Sequence, residues 1–196
     1  MIEGCNRLNG SISVQGAKNS ALPVLAATLL SGDRCVLHNC PHLSDVETSI
    51  KILRYLGCNV SRSGSTLTVD THNMYRYDIP DELMREMRSS IVFLGAIIAT
   101  MGRARLSFPG GCELGPRPID LHLKALRLMG LEITEHHGIL DCSVPNGLHG
   151  AKVTLSFPSV GATENIMLSA VVAKGTTIIT NAAREPEICG LADFLN

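Results

Sequence analysis

The run Pro109-Gly-Gly-Cys-Glu-Leu-Gly-Pro-Arg-Pro118 holds the residues best suited to chemistry in this chain. Cys112 follows two glycines and stands five positions before Arg117. Glycine removes side-chain bulk, so a substrate can approach the backbone closely. Pro116 and Pro118 stiffen the path on either side of Arg117. A thiol beside a guanidinium is favoured as the thiolate, its reactive form, while Glu113 next door pushes the other way. These residues alone leave two readings open: a reactive loop cysteine, or a free cysteine packed inertly under a tight turn.

Three further stretches have chemical potential. In Ser13-Val-Gln-Gly-Ala-Lys-Asn-Ser20, Lys18 and Asn19 fall at the start of a predicted helix, where free N–H groups favour an anion. A lysine there suits a phosphate or carboxylate; a solvated lysine beside an asparagine N-cap is the plainer alternative. The G-x-x-x-x-G-K pattern of a Walker A loop is absent. Arg88, in Arg85-Glu-Met-Arg-Ser-Ser90, precedes a second apolar helix, and Pro158-Ser-Val-Gly-Ala-Thr163 precedes a third. Arg85, Arg103 and Arg105 read as solvated surface charges.

The elements that must position these residues form an internal repeat. Ser20–Leu30, Ser90–Met101 and Thr163–Ala173 are apolar almost all round, and each leads to a glycine (Gly32, Gly102, Gly175) and a short strand. The glycines are about 70 residues apart, the size of a whole supersecondary unit. Each helix is expected to be capped, stopped by its glycine and buried on every side. A second, amphipathic helix follows in each copy. In the first it is Ser44–Leu56, with Val46, Ile50, Leu53 and Leu56 at helical spacing and Ser44 and Glu47 placed for a capping box. In the second it is Pro118–Met129. Gly57 and Gly130 end these helices, and hairpins follow at 59–69 and 131–142. Three buried helices ringed by strands predict an inside-out α/β unit with pseudo-threefold repeats, rather than an ordinary two-layer sandwich. The three buried helices would then start at one end. That end would collect anions through Lys18, Arg88, Arg117 and the backbone N–H groups of Ser159 to Gly161. The third copy, unlike the others, reaches Asn196 inside its second helix. The repeat therefore predicts a chain cut short by at least one hairpin, with a natural chain ending on a degenerate terminal repeat as the alternative.

Composition narrows the function classes. The chain has 196 residues, 45% hydrophobic and 18% charged, with a net charge of -1. That length allows a substantial core, and the charge gives no footprint for nucleic acid. With no Trp, three Tyr and four Phe, base-stacking platforms are not expected. Seven scattered cysteines without a C-x-x-C pair point to a reducing cytosol and away from structural zinc or a disulfide framework. His38 with His42, and His136 with His137, lack ligand-grade context and read as loop histidines. No signal peptide or membrane span is expected.

Several runs together resemble the enolpyruvyl transferase family, in the form that acts on UDP-N-acetylglucosamine in peptidoglycan synthesis. They are Gly16-Ala-Lys-Asn-Ser-Ala-Leu-Pro23, Met87-Arg-Ser-Ser90, Pro109-Gly-Gly-Cys112, Gly115-Pro-Arg-Pro-Ile-Asp-Leu-His122, Ser159-Val-Gly-Ala-Thr163 and Asn181-Ala-Ala-Arg-Glu-Pro-Glu187. The shikimate-pathway sister shares the fold but lacks the cysteine loop and the Gly-Ala-Lys-Asn form. The resemblance implies a protein of two inside-out domains and about twice this length. Here it implies a domain over 15–196, with repeats near 15–72, 73–146 and 147–196. Residues 1–14 would be a strand segment belonging to the other domain.

The implied reaction moves the enolpyruvyl group of phosphoenolpyruvate onto the 3′-hydroxyl of UDP-N-acetylglucosamine. By resemblance Cys112 is the general acid at C3 of phosphoenolpyruvate and the target of fosfomycin. Lys18, Asn19, Arg88 and Arg117 would hold phosphoenolpyruvate, with Lys18 and Arg117 also catalytic. Asn19, Arg88, Arg117, Pro118, Ile119, Asp120, Leu121, Phe157, Pro158, Ser159, Val160 and Gly161 would meet UDP-N-acetylglucosamine. Phe157-Pro158 stand where the family often carries a lysine. No metal or other cofactor is implied. The partners would be the two substrates and a second domain supplying an aspartate and two arginines, in the cytoplasm, without nucleic acid or membrane. This chain alone would be inactive, and an exposed domain face could lead it to self-associate. A sugar-nucleotide-binding half without catalysis, or an interaction module reusing the fold, are the rival classes.

Overall fold

The computed structural model describes residues 4, 7, 9–109 and 119–196. Cys112, Glu113, Arg117 and Pro118 lie outside the described residues.

Three related segments follow one another. The first runs α1 (Lys18–Ala27), a 3-10 turn (Thr28–Leu30), β1 (Arg34–Leu37), α2 (Ser44–Tyr55), β2 (Asn59–Ser63) and β3 (Thr66–Asp70). The second runs β4 (Asp78–Ile79), α3 (Asp81–Glu86), a 3-10 turn (Arg88–Val92), α4 (Phe93–Met101), β5 (Arg103–Ser107), α5 (Asp120–Leu128), β6 (Glu132–His136) and β7 (Ile139–Ser143). The third runs β8 (Lys152–Thr154), α6 (Val160–Ala170), β9 (Ile178–Thr180) and α7 (Pro186–Leu195).

Each segment builds its own sheet, with strand orders β1-β3-β2, β4-β5-β7-β6 and β8-β9. The strand after each of the first two core helices pairs antiparallel with the second strand of the following hairpin, Val36 opposite Thr68 and Arg105 opposite Asp141. In the second and third segments the strands flanking the core helix pair in parallel, Ile79 with Leu106 and Val153 with Ile179. Alternation sets which faces turn inward: Val60, Leu67, Val69, Ala104, Leu106, Leu140 and Cys142 are buried, while their sequence neighbours are half-buried or exposed.

The predicted inside-out arrangement is present. α1, α4 and α6 form the centre, α4 packs on α6 and α1, and α2 and α7 cover α1. Phe93, Leu94, Ile97 and Ile98 of α4 are buried on all sides, as an unbroken apolar run requires. Gly102 ends α4 in the left-handed region at φ 69, the conformation glycine adopts without a Cβ penalty. Gly95 is required for another reason: a Cβ there would lie 2.6 Å from the Asn165 carbonyl oxygen and 2.8 Å from its Oδ1.

The helix starts differ from expectation. Ser44 and Glu47 form no capping box. Ser44 is already helical, the extended Leu43 takes the N-cap position without a side-chain bond, and Glu47 pairs with Arg62 at 3.0 Å. Asn19 is not an N-cap either; it is the second residue of α1, which follows Ala17. The second core helix opens as a 3-10 turn. The third starts three residues early, because Ser159 caps it: Ser159 Oγ accepts the Ala162 N–H at 3.3 Å.

Candidate functional site

α1 brings the first cation. Lys18 is its first residue, and Lys18 Nζ lies 3.0 Å from Asp45 Oδ2 in the first turn of α2. Nearly half of the lysine side chain stays exposed, so the pair tethers the ammonium while leaving it open to an anion. Pro23 inside α1 has no N–H to give the Asn19 carbonyl four residues back. Asn19 itself is exposed.

The 3-10 turn before α4 brings the second. Arg88 is its first residue and is half-buried. Among the described residues its Nε is buried without a hydrogen-bond partner. A buried guanidinium nitrogen in that state favours an acceptor, above all an anionic one. This turn packs against both α1 and α6, so the starts of all three core helices are neighbours.

The start of α6 supplies backbone donors. With Ser159 as cap, Val160 and Gly161 form the first turn, where N–H groups have no intrahelical acceptor. The start of α5 lies beside it. Ile119 is buried, Asp120 exposed and Leu121 half-buried. His122 of α5 faces α6 so closely that a Cβ on Gly161 would meet its Cε1 at 3.0 Å. Burial lowers the His122 pKa to about 4, which keeps the ring neutral.

The structure therefore places Lys18, Asn19, Arg88, Asp120, Leu121 and Ser159 to Gly161 at the starts of four helices that pack together. Phe157 is exposed. Pro158 lines a groove of about 500 Å³ with Asn181, Ala182, Arg184 and Glu185.

Four polar residues on or beside these elements were not singled out by sequence reasoning. Asp45 is the partner of Lys18, and Arg184 is a cation in the Pro158 groove. Asn165 is fully buried on α6. Glu164 is 7% exposed, and burial with the nearby Glu187 charge raises its pKa to about 8. Two polar side chains inside an apolar helix were the available signal for Asn165 and Glu164, because such groups persist there only when paired or neutralised.

Among the described residues no three His, Cys, Asp or Glu side chains gather to hold a metal ion, and no helix is long and apolar enough to cross a membrane.

Known proteins resemble this chain in sequence and in fold. The family model described as EPSP synthase (3-phosphoshikimate 1-carboxyvinyltransferase) matches residues 2–196. UDP-N-acetylglucosamine 1-carboxyvinyltransferase 2 of Caldanaerobacter subterraneus subsp. tengcongensis is 53% identical over 195 residues, which is 100% of this chain and 46% of that protein. UDP-N-acetylglucosamine 1-carboxyvinyltransferase 1 of Symbiobacterium thermophilum is 50% identical over 98% of this chain and 45% of its own length. The chain thus spans slightly under half the length of these curated relatives. Among solved structures, the enolpyruvyl transferase NikO from Streptomyces tendae superposes with a TM-score of 0.83 at 24% identity, over 98% of this chain and 45% of that one. EPSP synthase from Acinetobacter baumannii does so with a TM-score of 0.67 at 21% identity, over 90% and 41%. At these identities the solved structures establish the fold.

Proposed function

This chain belongs to the EPSP synthase family, and we propose that it is the half of an enolpyruvyl transferase that holds the loop cysteine and one wall of the site. The reaction proposed is transfer of the enolpyruvyl group of phosphoenolpyruvate to the 3′-hydroxyl of UDP-N-acetylglucosamine, in cytoplasmic peptidoglycan synthesis. The observation that carries this reading is identity of 53% along the whole chain to an enzyme named for that transfer.

The arrangement of the helix starts supports the chemistry. Lys18, Arg88 and Arg117 would neutralise the phosphate and carboxylate of phosphoenolpyruvate, with Asn19 beside them. Cations placed where a phosphate departs stabilise the developing charge. Arg117, Pro118 to Leu121 and Phe157 to Gly161 would form the nucleotide wall, the free N–H groups of Val160 and Gly161 suiting a diphosphate. Cys112 would give its proton to C3 of phosphoenolpyruvate as the sugar hydroxyl adds to C2. The tetrahedral adduct would then lose a proton from C3 and expel phosphate, restoring the double bond. A second domain would take the hydroxyl proton and close the site. Residues 1–14 would pack on that domain; Ile12 and Val14 are 91% and 86% exposed, as a segment without its partner would be.

Titration calorimetry with two ligands tests the substrate class. UDP-N-acetylglucosamine should bind this chain and shikimate 3-phosphate should not. The reverse preference would assign the chain to the shikimate branch, and binding of neither would favour an interaction module.

A further inference from the structure

α6 is central and apolar, yet Asn165 sits in it with no exposed surface. A buried carboxamide is costly unless each polar group is paired. Asn165 Oδ1 accepts the Gly95 N–H at 2.6 Å. Its Nδ2 donates to the Ile91 carbonyl at 3.0 Å and to His122 Nδ1 at 2.8 Å. Gly95 and Ile91 are four residues apart, the spacing at which an uninterrupted α-helix would pair them with each other. The carboxamide takes both groups, at the place where the 3-10 turn Arg88–Val92 gives way to α4.

The network fixes its own protonation. Oδ1 must face the Gly95 donor, so Nδ2 faces Ile91 and His122. An amide nitrogen only donates, so His122 Nδ1 accepts and the ring proton stands on Nε2. The His122 ring also abuts Gly161 in the first turn of α6. One side-chain pair therefore joins the 3-10 turn that begins with Arg88, the start of α5 and the start of α6.

We propose that Asn165 and His122 are positioning residues, whose shared hydrogen bonds hold Arg88, Asp120–Leu121 and Ser159–Gly161 in one frame for a nucleoside diphosphate sugar. The proposal rests on the function given above. It adds that nucleotide affinity depends on an acceptor at the place of His122 Nδ1, not only on the bulk of the ring. His122→Asn can offer its carboxamide oxygen there, whereas His122→Phe fills the space without an acceptor.

The test is NMR titration of the isotopically labelled chain with UDP-N-acetylglucosamine. In the unaltered chain, His122 should be the Nε2–H tautomer, and the His122 ring and Asn165 amide signals should shift on saturation. His122→Asn should bind within about threefold of the unaltered chain, and His122→Phe about tenfold more weakly or worse. A merely structural role would lower the unfolding temperature of both variants and leave their affinities equal. A folded His122→Phe chain with unaltered affinity overturns the proposal. If that variant does not fold, the unaltered chain decides: a proton on Nδ1, or His122 and Asn165 signals unmoved by bound nucleotide, overturns it. Absence of nucleotide binding by the unaltered chain refutes the function reading and takes this inference with it.

Discussion

Replacing Lys18 with alanine should lower enolpyruvyl transfer by the whole enzyme about 10²–10³-fold, the usual cost of losing one group that stabilises transition-state charge. Lys18 is the first residue of α1, so its ammonium adds to the positive end of a helix dipole. Asp45 holds it at 3.0 Å. That pair is too exposed to matter much for folding, where such contacts contribute less than about 1 kcal/mol. The two effects should therefore separate: turnover collapses while the unfolding midpoint stays nearly fixed. Lys18→Arg keeps the charge but not the compact ammonium, and should recover part of the rate. Steady-state phosphate release by Lys18→Ala and Lys18→Arg, with thermal melts of both, reads this directly. Near-normal turnover in Lys18→Ala would remove Lys18 from the site.

Glu164→Gln should flatten the pH dependence of stability on the alkaline side. Burial and the Glu187 charge raise the Glu164 pKa from 4.5 to about 8. The folded chain thus holds a proton that the unfolded chain has released. Its stabilising contribution is full below about pH 4.5 and is lost as pH rises through about 8. A change of that size corresponds to about 5 kcal/mol between the acid and alkaline limits. Glutamine is neutral throughout and fits nearly the same space. At pH 9 the variant should gain about 4 kcal/mol on the unaltered chain, relative to their difference at pH 5. Urea midpoints from pH 5 to 9 measure this. Parallel curves for the two proteins would mean that Glu164 is ionised at little cost.

The fold was legible wherever pattern is local. Gly102 stops α4 as its place after an apolar run suggests. Gly57 and Gly130 precede hairpins that lie where the sequence placed them. The apolar runs identified the three central helices because a helix without a polar face has to be buried. Short elements escaped: β4 has two residues and β8 three, too few to show a period. Helix starts were misread where tertiary partners intervened. Glu47 could have closed a capping box, but Arg62 on β2 takes its carboxylate. The 3-10 opening of α4 meets Asn165, whose Nδ2 donates to the Ile91 carbonyl from 74 residues away in sequence.

The candidate site was legible to the same extent. Lys18, Arg88 and Ser159 could be picked out because each stands at the beginning of an apolar helix. Their common location required the repeat, since only pseudo-symmetry brings three such beginnings to one end. Asp45 gave no comparable signal, and His122 entered only through the resemblance, beside the run Pro118 to Leu121. A carboxylate in the first turn of α2 and a histidine in an amphipathic helix are ordinary in a sequence. Their roles come from what lies across from them, Lys18 in one case and Asn165 in the other.

Mass spectrometry of Cys112 after fosfomycin treatment, with and without UDP-N-acetylglucosamine, tests the central claim most directly. The proposed enzyme should be modified at Cys112 in preference to the other six cysteines, and faster when the sugar nucleotide is present. Buried Cys58 and Cys142 serve as internal controls, since desolvation pushes both thiols up to about 12. Selective, nucleotide-dependent modification of Cys112 in the whole enzyme is the predicted result. An unmodified Cys112 in the folded, nucleotide-bound enzyme would contradict the account.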